Sequence, residues 1–209
     1  MEESEVSAEE VGMLVNWPER FFCNSFIRRF VQRRQARQWR AIRPMPPGGD
    51  MLEIGCGNGA GARIIMTLFT PQKFTALDPD PAMLALARKR LAQSIAEVAE
   101  GNAEDLPFES ARFDAVFNFG ILHHVEGWPK AIAEVARVLR PGGAFYIEEI
   151  FPDLYAGAVL RHIVAHPAQG RFYPLEFKES LREAGLDLLP GYRQSRLTML
   201  GVAVKRASA

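Results

Sequence analysis

Two patterns of apolar and polar residues recur along this chain, short apolar runs and apolar residues at helical spacing, and the changes between them predict its secondary structure. Short apolar runs bounded by turn residues indicate buried strands. We expect strands at 51–55, 73–77, 95–101, 112–120, 144–150, 187–194 and 197–205. Segments with apolar residues at helical spacing fill most of the intervals between them. Strands that alternate with helices predict an α/β fold, in which a mostly parallel sheet is covered by helices on both faces.

The helix after the second strand has the clearest start signal. Asp80 is placed to cap its N-terminus, and Pro81 occupies the first helical position, where a missing N–H costs nothing. At the other end of a later helix, Pro141-Gly142-Gly143 is a natural C-terminal breaker. The other helices are expected at 60–69, 129–140, 153–165 and 174–186.

Composition indicates one ordinary domain of 209 residues, in which 25 basic and 25 acidic side chains balance. This balance argues against disorder and against a protein that binds polyanions over its whole surface. Cys23 and Cys56 have neither metal-ligand spacing nor a Cys-x-x-Cys partner, which suits a reducing compartment. The N-terminus is acidic, and no apolar stretch reaches the ~18 residues that a membrane span needs. We therefore expect a cytoplasmic protein.

Segment 20–43 is the exception to the charge balance. It contains eight arginines and no acid, whereas residues 1–19 contain six glutamates. An amphipathic helix or helix pair over 20–42 is predicted by apolar residues at helical spacing, which are Phe26, Ile27, Phe30, Val31, Trp39 and Ile42. Such a block could bind a phosphate, an anionic membrane or nucleic acid. It could equally lie as a solvated helix against the body of the protein, or pair with the acidic leader.

A glycine-rich loop follows the first strand, in the stretch "LEIGCGNGAGA" at 52–62. Gly55, Gly57 and Ala60 satisfy the dinucleotide pattern G-x-G-x-x-G/A, and Asp78 follows at the offset expected of a ribose-binding acid. Glu53 argues against a nicotinamide cofactor, because a carboxylate there would repel a pyrophosphate at the helix N-terminus. The chain also lacks a Tyr-x-x-x-Lys pair, room for a separate substrate domain, and the Lys-Ser/Thr of a phosphate-binding loop. An adenosine with a cationic amino-acid tail fits these residues better.

Five motifs between Leu52 and Gly143 then identify a family resemblance. They are "LEIGCGNG" (52–59), "ALDPDPAML" (76–84), "GNAEDLPFES" (101–110), "FDAVFNFGILHHV" (113–125) and "EVARVLRPGG" (134–143). In this order and spacing they resemble the class I S-adenosylmethionine-dependent methyltransferases, in particular their type 11 small-molecule branch. The resemblance implies S-adenosyl-L-methionine as cofactor and a Rossmann-like, seven-stranded sheet. Its expected strand order is 3-2-1-4-5-7-6, with the last-numbered strand antiparallel.

The resemblance also places the cofactor site. Glycines of the loop would let the backbone approach the methionine and ribose portions, Glu53 would orient the loop or meet the amino-acid end, and Asp78 would accept both ribose hydroxyls. Asn102 stands where the family usually has Asp, so the adenine contact falls to its carbonyl oxygen or to a neighbour. The expected cofactor site comprises Glu53, Gly55, Cys56, Gly57, Gly59, Asp78, Pro79, Met83, Asn102, Ala103, Glu104, Asn118, Phe119 and Gly120.

Candidate catalytic groups follow the fourth and fifth strands. His124 could transfer a proton from an acceptor, although the His123-His124 pair could instead cap or orient its loop. Glu149 is the second candidate, since alternation directs one of Glu148 and Glu149 toward the site. No third ligand accompanies the histidines, so we expect no metal site.

Acceptor choice is expected to lie outside the shared motifs. We expect an N-terminal helical cap at 1–43 and a methyltransferase domain at 44–209, with a substrate-side insertion at 151–173. Their aromatic and basic residues could line a pocket for an aromatic or lipophilic acceptor with an acidic group, or could simply pack: Trp17, Arg20, Phe22, Tyr155, Arg161, His166, Arg171 and Tyr173. The predicted function is methyl transfer to a small molecule. The alternatives are a regulatory or binding protein without turnover and, disfavoured by the absence of an N/D-P-P-Y/F motif, a nucleic-acid methyltransferase.

Overall fold

The computed structural model describes residues 26–155 and 170–207. Its strands are β1 Asp50–Ile54, β2 Lys73–Asp78, β3 Ala96–Glu100, β4 Phe113–Phe119, β5 Leu139–Ile150, β6 Leu186–Leu188, β7 Arg193–Gln194 and β8 Thr198–Lys205. Its helices are α1 Phe26–Ile42, α2 Ala60–Phe69, α3 Pro81–Leu91, α4 Trp128–Val138, α5 Pro152–Tyr155 and α6 Pro174–Glu183, with a 3₁₀ turn at Leu122–His124.

One twisted sheet in the order β3-β2-β1-β4-β5-β8-β6 organises the fold, and β7 pairs with β8. Strands β1 to β5 run parallel, and β8 is antiparallel to β5, β6 and β7. The α/β class and the strand order are thus confirmed, with β8 in the place of the expected seventh strand. The extra strand arises because the predicted strand 187–194 is divided into β6 and β7. Pro190 has no N–H for a ladder, and Gly191 has a φ of +94°, so pairing is interrupted between them.

The helix signals of the sequence differ in how well they locate helix ends. Asp80 caps α3 as predicted, since its Oδ1 accepts from the N–H groups of Ala82 and Met83 at 2.8 and 3.4 Å. By contrast, α4 ends at Val138, earlier than its predicted end at residue 140. Leu139 is already extended and pairs with Phe113, so β5 begins directly after the helix.

Two apolar cores lie on the opposite faces of the sheet. One contains residues of α1, α2 and α3, and the other contains residues of α4 and α6. Trp39 of α1 is fully buried in the first core, where its Nε1 donates to the Ile147 carbonyl at 3.0 Å and its ring lies 4.6 Å from that of Phe119. The N-terminal helix is therefore packed into the body of the fold along its C-terminal half.

The amphipathic helix predicted at 20–42 is confirmed for 26–42, while 20–25 lie outside the described residues. The predicted apolar positions differ in burial, however. The side chains of Ile27, Phe30 and Val31 are 66%, 66% and 38% exposed. Trp39, from the same predicted pattern, is fully buried, and Gln32 is buried although it is polar.

The expected insertion at 151–173 is described only at its two ends. Helix α5 begins at Pro152, one residue before the helix predicted at 153–165, and the segment 156–169 lies outside the described residues. The helix predicted at 174–186 is observed as α6, which ends three residues earlier. Within the two described ranges, no helix is both long and apolar enough to cross a bilayer.

Candidate active site

A pocket opens at the carboxyl ends of β1, β2 and β4, beneath the N-terminal half of α1. Of the residues expected at the cofactor or the reacting groups, those in its lining are Glu53, Gly55, Cys56, Gly57, Asp78, Met83, Phe119, Gly120 and His124. Also in the lining, and not expected from the sequence, are Arg28, Gln32, Asn58, Ala60, Gly61, Asp80 and Ile121. Expected residues that are not in this lining are Gly59, Pro79, Asn102, Ala103, Glu104, Asn118 and Glu149.

The three glycines of the loop after β1 differ in what a side chain at each position would contact. Gly55, Gly57 and Gly59 all have positive φ, at +64°, +52° and +78°. A Cβ on Gly55 would lie 2.5 Å from a methyl carbon of Ile121, and one on Gly59 would lie 3.0 Å from a methyl carbon of Leu91. A Cβ on Gly57 would meet no atom within 4 Å. Bare backbone therefore faces the pocket at Gly57, whereas the other two glycines make room for neighbouring side chains.

Asp78, the last residue of β2, is held rigidly at the pocket wall. Its side chain is 1% exposed, its Oδ2 accepts from the Gly57 N–H at 2.7 Å, and its Oδ1 accepts from the Asp80 N–H at 2.9 Å. A carboxylate oxygen has two lone pairs and can accept more than one hydrogen bond. The carboxylate is thus oriented by the loop, and can accept from a diol in the pocket.

Glu53 is a carboxyl group buried in the pocket wall with an unsatisfied oxygen. Its Oε2 has no hydrogen-bond partner among the described residues. Burial, and secondly the nearby Asp78 carboxylate, raise the pKa of Glu53 well above its usual value of 4.5. A hydrogen bond from the Ala62 N–H and the charge of Arg28 oppose this rise. The carboxyl also requires Gly61, because a Cβ there would lie 2.0 Å from Oε1.

Arg28 is a pocket residue that sequence reasoning missed. One guanidinium nitrogen donates to the Phe119 carbonyl and to Glu148 Oε2, both at 2.8 Å, and the other to Glu148 Oε1 at 3.3 Å. Gln32, one turn later in α1, also lines the pocket, and its buried Oε1 has no hydrogen-bond partner among the described residues. Helical spacing links the two residues, but nothing in the sequence distinguishes Arg28 from its seven neighbours in the arginine block.

Behind the pocket, Glu149 is fully buried at the centre of a polar network. One oxygen bonds to His123 Nδ1 and accepts from the N–H of Ile150, while the other accepts from Asn118 Nδ2 and from the N–H of Leu122, both at 3.0 Å. Burial raises the pKa of Glu149 from 4.5 to about 7, against the lowering effect of the hydrogen bonds from Asn118, Ile150 and Leu122.

The two histidines bridge this network and the pocket. Their ring centroids are 4.1 Å apart, and His124 lines the pocket while His123 contacts Glu149. The predicted catalytic pair His124 and Glu149 is therefore joined through His123. Among the described residues, no group of three His, Cys, Asp or Glu side chains could hold a metal ion.

The loop expected at adenine lies beside the Asp78 end of the pocket. The Gly101 N–H donates to the Asp78 carbonyl at 3.2 Å, which fixes the start of this loop next to β2. Asn102 Oδ1 accepts from the Glu104 N–H at 3.0 Å, and Ala103 is buried in the second core. Pro79 follows Asp78 directly.

The described part of the expected acceptor pocket is small. Tyr155 is buried with its ring 5.9 Å from that of His123, and the Arg171 guanidinium lies 6.0 Å over the Tyr155 ring. Tyr173 is 48% exposed. The remaining candidates lie outside the described residues: Trp17, Arg20, Phe22, Arg161 and His166.

Comparison with known proteins places the central segment in one family. Residues 52–147 match a family model described as a methyltransferase domain. The chain is 38% identical over 110 residues to the phthiotriol/phenolphthiotriol dimycocerosates methyltransferase of Mycobacterium leprae. The aligned region covers 53% of this chain and 41% of that protein. It is 39% identical over 105 residues to the fatty-acid O-methyltransferase of Mycolicibacterium smegmatis, covering 50% of this chain and 38% of that protein. The chain thus spans about two fifths of the length of these curated relatives.

A solved methyltransferase structure has a similar fold. Phosphoethanolamine N-methyltransferase 2 of Haemonchus contortus, in complex with S-adenosyl-L-methionine, superposes with a TM-score of 0.64 at 25% identity. The superposition covers 74% of this chain and 36% of that protein.

Proposed function

We propose that the chain is a class I S-adenosylmethionine-dependent methyltransferase that transfers a methyl group to an oxygen atom of a lipophilic small molecule. The match of residues 52–147 to a methyltransferase-domain model and the similarity to methyltransferases support this proposal. The observation that carries the proposal is a buried carboxyl with an unsatisfied oxygen, Glu53, in the same pocket as Arg28 and Asp78. These three groups match the zwitterionic amino-acid end and the ribose of S-adenosylmethionine.

The amino-acid end is assigned to Glu53 and Arg28. An unsatisfied buried acceptor is costly, and an ammonium group carries three donors that would remove this cost. The Arg28 guanidinium offers donors for the α-carboxylate. Asp78 would hold the ribose hydroxyls, and Gly57 would allow the close approach of the sugar. The cofactor, when bound, supplies a methyl group on a positively charged sulfur.

We assign the remaining residues of the expected cofactor site by their position around these anchors. Met83 and Pro79 flank Asp78, and the loop at 102–104 lies beyond it, so these residues would border adenine. Cys56 and the loop from Asn118 to Gly120 border the opposite end, next to Glu53 and Arg28. Gly59 would act indirectly, by letting the loop pack on α3.

The first test is calorimetric titration of the full chain with S-adenosylmethionine. We expect binding by the unmodified protein and a loss of about tenfold or more in affinity for Asp78→Asn, since a hydrogen bond to a charged group is lost. Asp187→Asn is the matched control, because Asp187 is an exposed carboxylate paired with Arg206 at 2.6 Å. A folded protein that does not bind S-adenosylmethionine would overturn the proposal.

Acceptor chemistry is proposed from the relatives and from the groups around His124. The relatives are named for a lipid triol and for fatty acids, which present hydroxyl and carboxylate oxygens. A carboxylate is already ionised at neutral pH, whereas a hydroxyl needs a base to take its proton. We propose that His124 takes this proton, and that Glu149 positions the imidazole pair through His123. Apart from this step, the residues of the pocket align the acceptor and exclude water.

The two acceptor classes provide an internal control for the role of His124. His124→Ala should lower kcat for long-chain alcohols by about a hundredfold or more, and leave methylation of fatty acids within a few fold. Equal losses for both acceptors would assign His124 to packing. Cofactor binding without methylation of either class would favour the alternative, a binding or regulatory protein.

We further propose that the acceptor enters between the N-terminal cap at 1–43 and the 151–173 insertion of the domain at 44–209. Tyr155, Arg171 and Tyr173 would contribute aromatic surface and a positive charge for an acidic acceptor.

Helix α1 would also contact an anionic membrane from which a lipophilic acceptor is drawn, since Ile27, Phe30 and Val31 are exposed beside its arginines. Co-sedimentation with vesicles tests this contact. We expect binding to phosphatidylglycerol vesicles that Phe30→Ser weakens, and equal partitioning to neutral and anionic vesicles would contradict it. Nucleic acid remains disfavoured as an acceptor.

A further inference from the structure

Four arginines from three helices converge on the face of the molecule next to the cofactor pocket. Arg29 and Arg33 of α1, Arg63 of α2 and Arg90 of α3 line one cleft, which we call the arginine cleft. The neighbouring groove on one side shares Arg33 and Arg63, and the groove on the other side shares Arg63 and Arg90 and adds Lys89. The sequence block at 20–43 supplied only two of these cations, so the site is created by the fold.

The charged side chains that line the arginine cleft are all positive among the described residues. None of the described residues that line it or the two adjoining grooves is acidic. Burial, and then the charges of Arg29 and Arg63, lower the pKa of Arg90 below its usual value. Arg90 is therefore close enough to Arg29 and Arg63 for their like charges to interact, and an anion in the cleft would be attracted to each of them.

The cleft is also built on a fixed frame. Arg90 Nη1 donates to the Asn58 carbonyl at 2.8 Å and bonds to Asn58 Oδ1, which in turn accepts from the Ala60 N–H at 3.1 Å. Arg33 and Arg63 are carried by the packed helices α1 and α2. Phe30 and Ile64 complete the wall and give it an apolar edge.

We propose that the arginine cleft binds a phosphate group. Guanidinium groups approaching from three helices suit the tetrahedrally arranged oxygens of a phosphate, which can accept forked hydrogen bonds in several directions. The apolar edge at Phe30 and Ile64 fits a phosphate that is attached to an apolar body. This chemistry is shared by free phosphate esters and by the headgroups of anionic phospholipids. The site is separate from the cofactor pocket and does not depend on the proposed methyl transfer.

Calorimetric titration of the full chain with inorganic phosphate, at constant ionic strength set by chloride, tests the proposal. We expect saturable binding that Arg33→Gln and Arg63→Gln each weaken by about tenfold or more. Arg90 is not substituted, because it also holds the cofactor loop through Asn58. Arg88→Gln is the matched control on α3, because Arg88 is exposed and lines none of the three grooves. It should leave phosphate affinity unchanged.

A second arm identifies the source of the phosphate. Vesicles of phosphatidylcholine with and without phosphatidic acid are co-sedimented with the same variants. Phosphatidate-dependent binding that is lost in Arg33→Gln and Arg63→Gln, and kept in Arg88→Gln, supports a lipid headgroup. Saturable binding of inorganic phosphate alone, with the same pattern, supports a free phosphate ester.

Three outcomes would overturn the proposal. Equal losses in all three variants would indicate diffuse attraction by net charge. Duplex RNA that binds while neither inorganic phosphate nor phosphatidate vesicles do would identify a polyanion surface instead. Absence of any phosphate binding by the folded chain would show that the cleft is not a phosphate site.

Discussion

Cofactor affinity should depend on pH through Glu53, and this dependence is the sharpest consequence of the pocket. The carboxyl is buried, and its raised pKa leaves it protonated over a range of pH in which an exposed glutamate is ionised. A cofactor ammonium beside it would favour the ionised form and lower that pKa. Binding must therefore release a proton at pH values between the pKa in the complex and the pKa in the unliganded protein.

The sign and size of the effect follow from linkage. In that window the affinity for S-adenosylmethionine should rise with pH, by at most about tenfold per pH unit for one proton. It should level off above the raised pKa of Glu53, and fall again only when the ammonium of the ligand itself titrates. Glu53→Gln removes a charge-assisted hydrogen bond worth about 1.5–3 kcal/mol, or roughly 10- to 150-fold in affinity, and abolishes the rise. Arg28→Gln should raise the pKa of Glu53 further and shift the window to higher pH.

Calorimetry in two buffers of different ionisation enthalpy measures the released proton directly. The ligand control is 5′-methylthioadenosine, which keeps the adenosine and lacks the amino-acid end. Its affinity should be independent of pH and unaffected by Glu53→Gln. The variant should also fold well, since a carboxyl whose pKa is raised by folding destabilises the protein as pH rises above its unfolded value. The assignment fails if Glu53→Gln binds S-adenosylmethionine as tightly as the wild type with the same pH profile.

Three further substitutions test the supporting structure. Gly61→Ala should lower the free energy of unfolding by about 1–3 kcal/mol in urea titrations and weaken cofactor binding, because the new methyl displaces Glu53. Trp39→Ala should cost about 3–5 kcal/mol, followed by far-ultraviolet circular dichroism, because a fully buried indole is lost. Glu149→Gln should remove a transition near pH 7 from the pH–rate profile for alcohol acceptors, while fatty-acid methylation is retained. An unchanged profile would refute a positioning role of Glu149 through His123.

Local signals in the sequence located most of the fold. Asp80 and Pro81 fix a helix start by chemistry that needs no distant partner, and the structure reproduces it. The glycine loop and Asp78 could be placed at the pocket because parallel strands bring their carboxyl ends to one edge of the sheet. The prediction was less accurate near the C-terminus. One strand is predicted at 187–194, although Pro190 and Gly191 within it both interrupt a hydrogen-bonded ladder.

Long-range contacts account for what the sequence did not reveal. Arg28 meets Glu148 across 120 positions, and periodicity cannot say which of eight arginines does so. The same contact explains why part of the predicted apolar pattern of α1 is exposed. A helix that must bring Arg28 to Glu148 and Trp39 to Ile147 turns Phe30 outward, whatever its hydrophobicity.

Helix α1 connects the two sites that we propose. Consecutive helical residues are turned by about 100°, so Arg28 faces the cofactor pocket while Arg29 faces the arginine cleft, and Gln32 and Arg33 repeat this division one turn later. The loop residue Asn58 is a second connection, since it lines the pocket and holds Arg90 of the cleft. An anion whose binding changes the position of either element would change the free energy of cofactor binding. By linkage, the cofactor must then change phosphate affinity by the same factor. The phosphate group in the arginine cleft and the cofactor in the pocket would thus both contact helix α1.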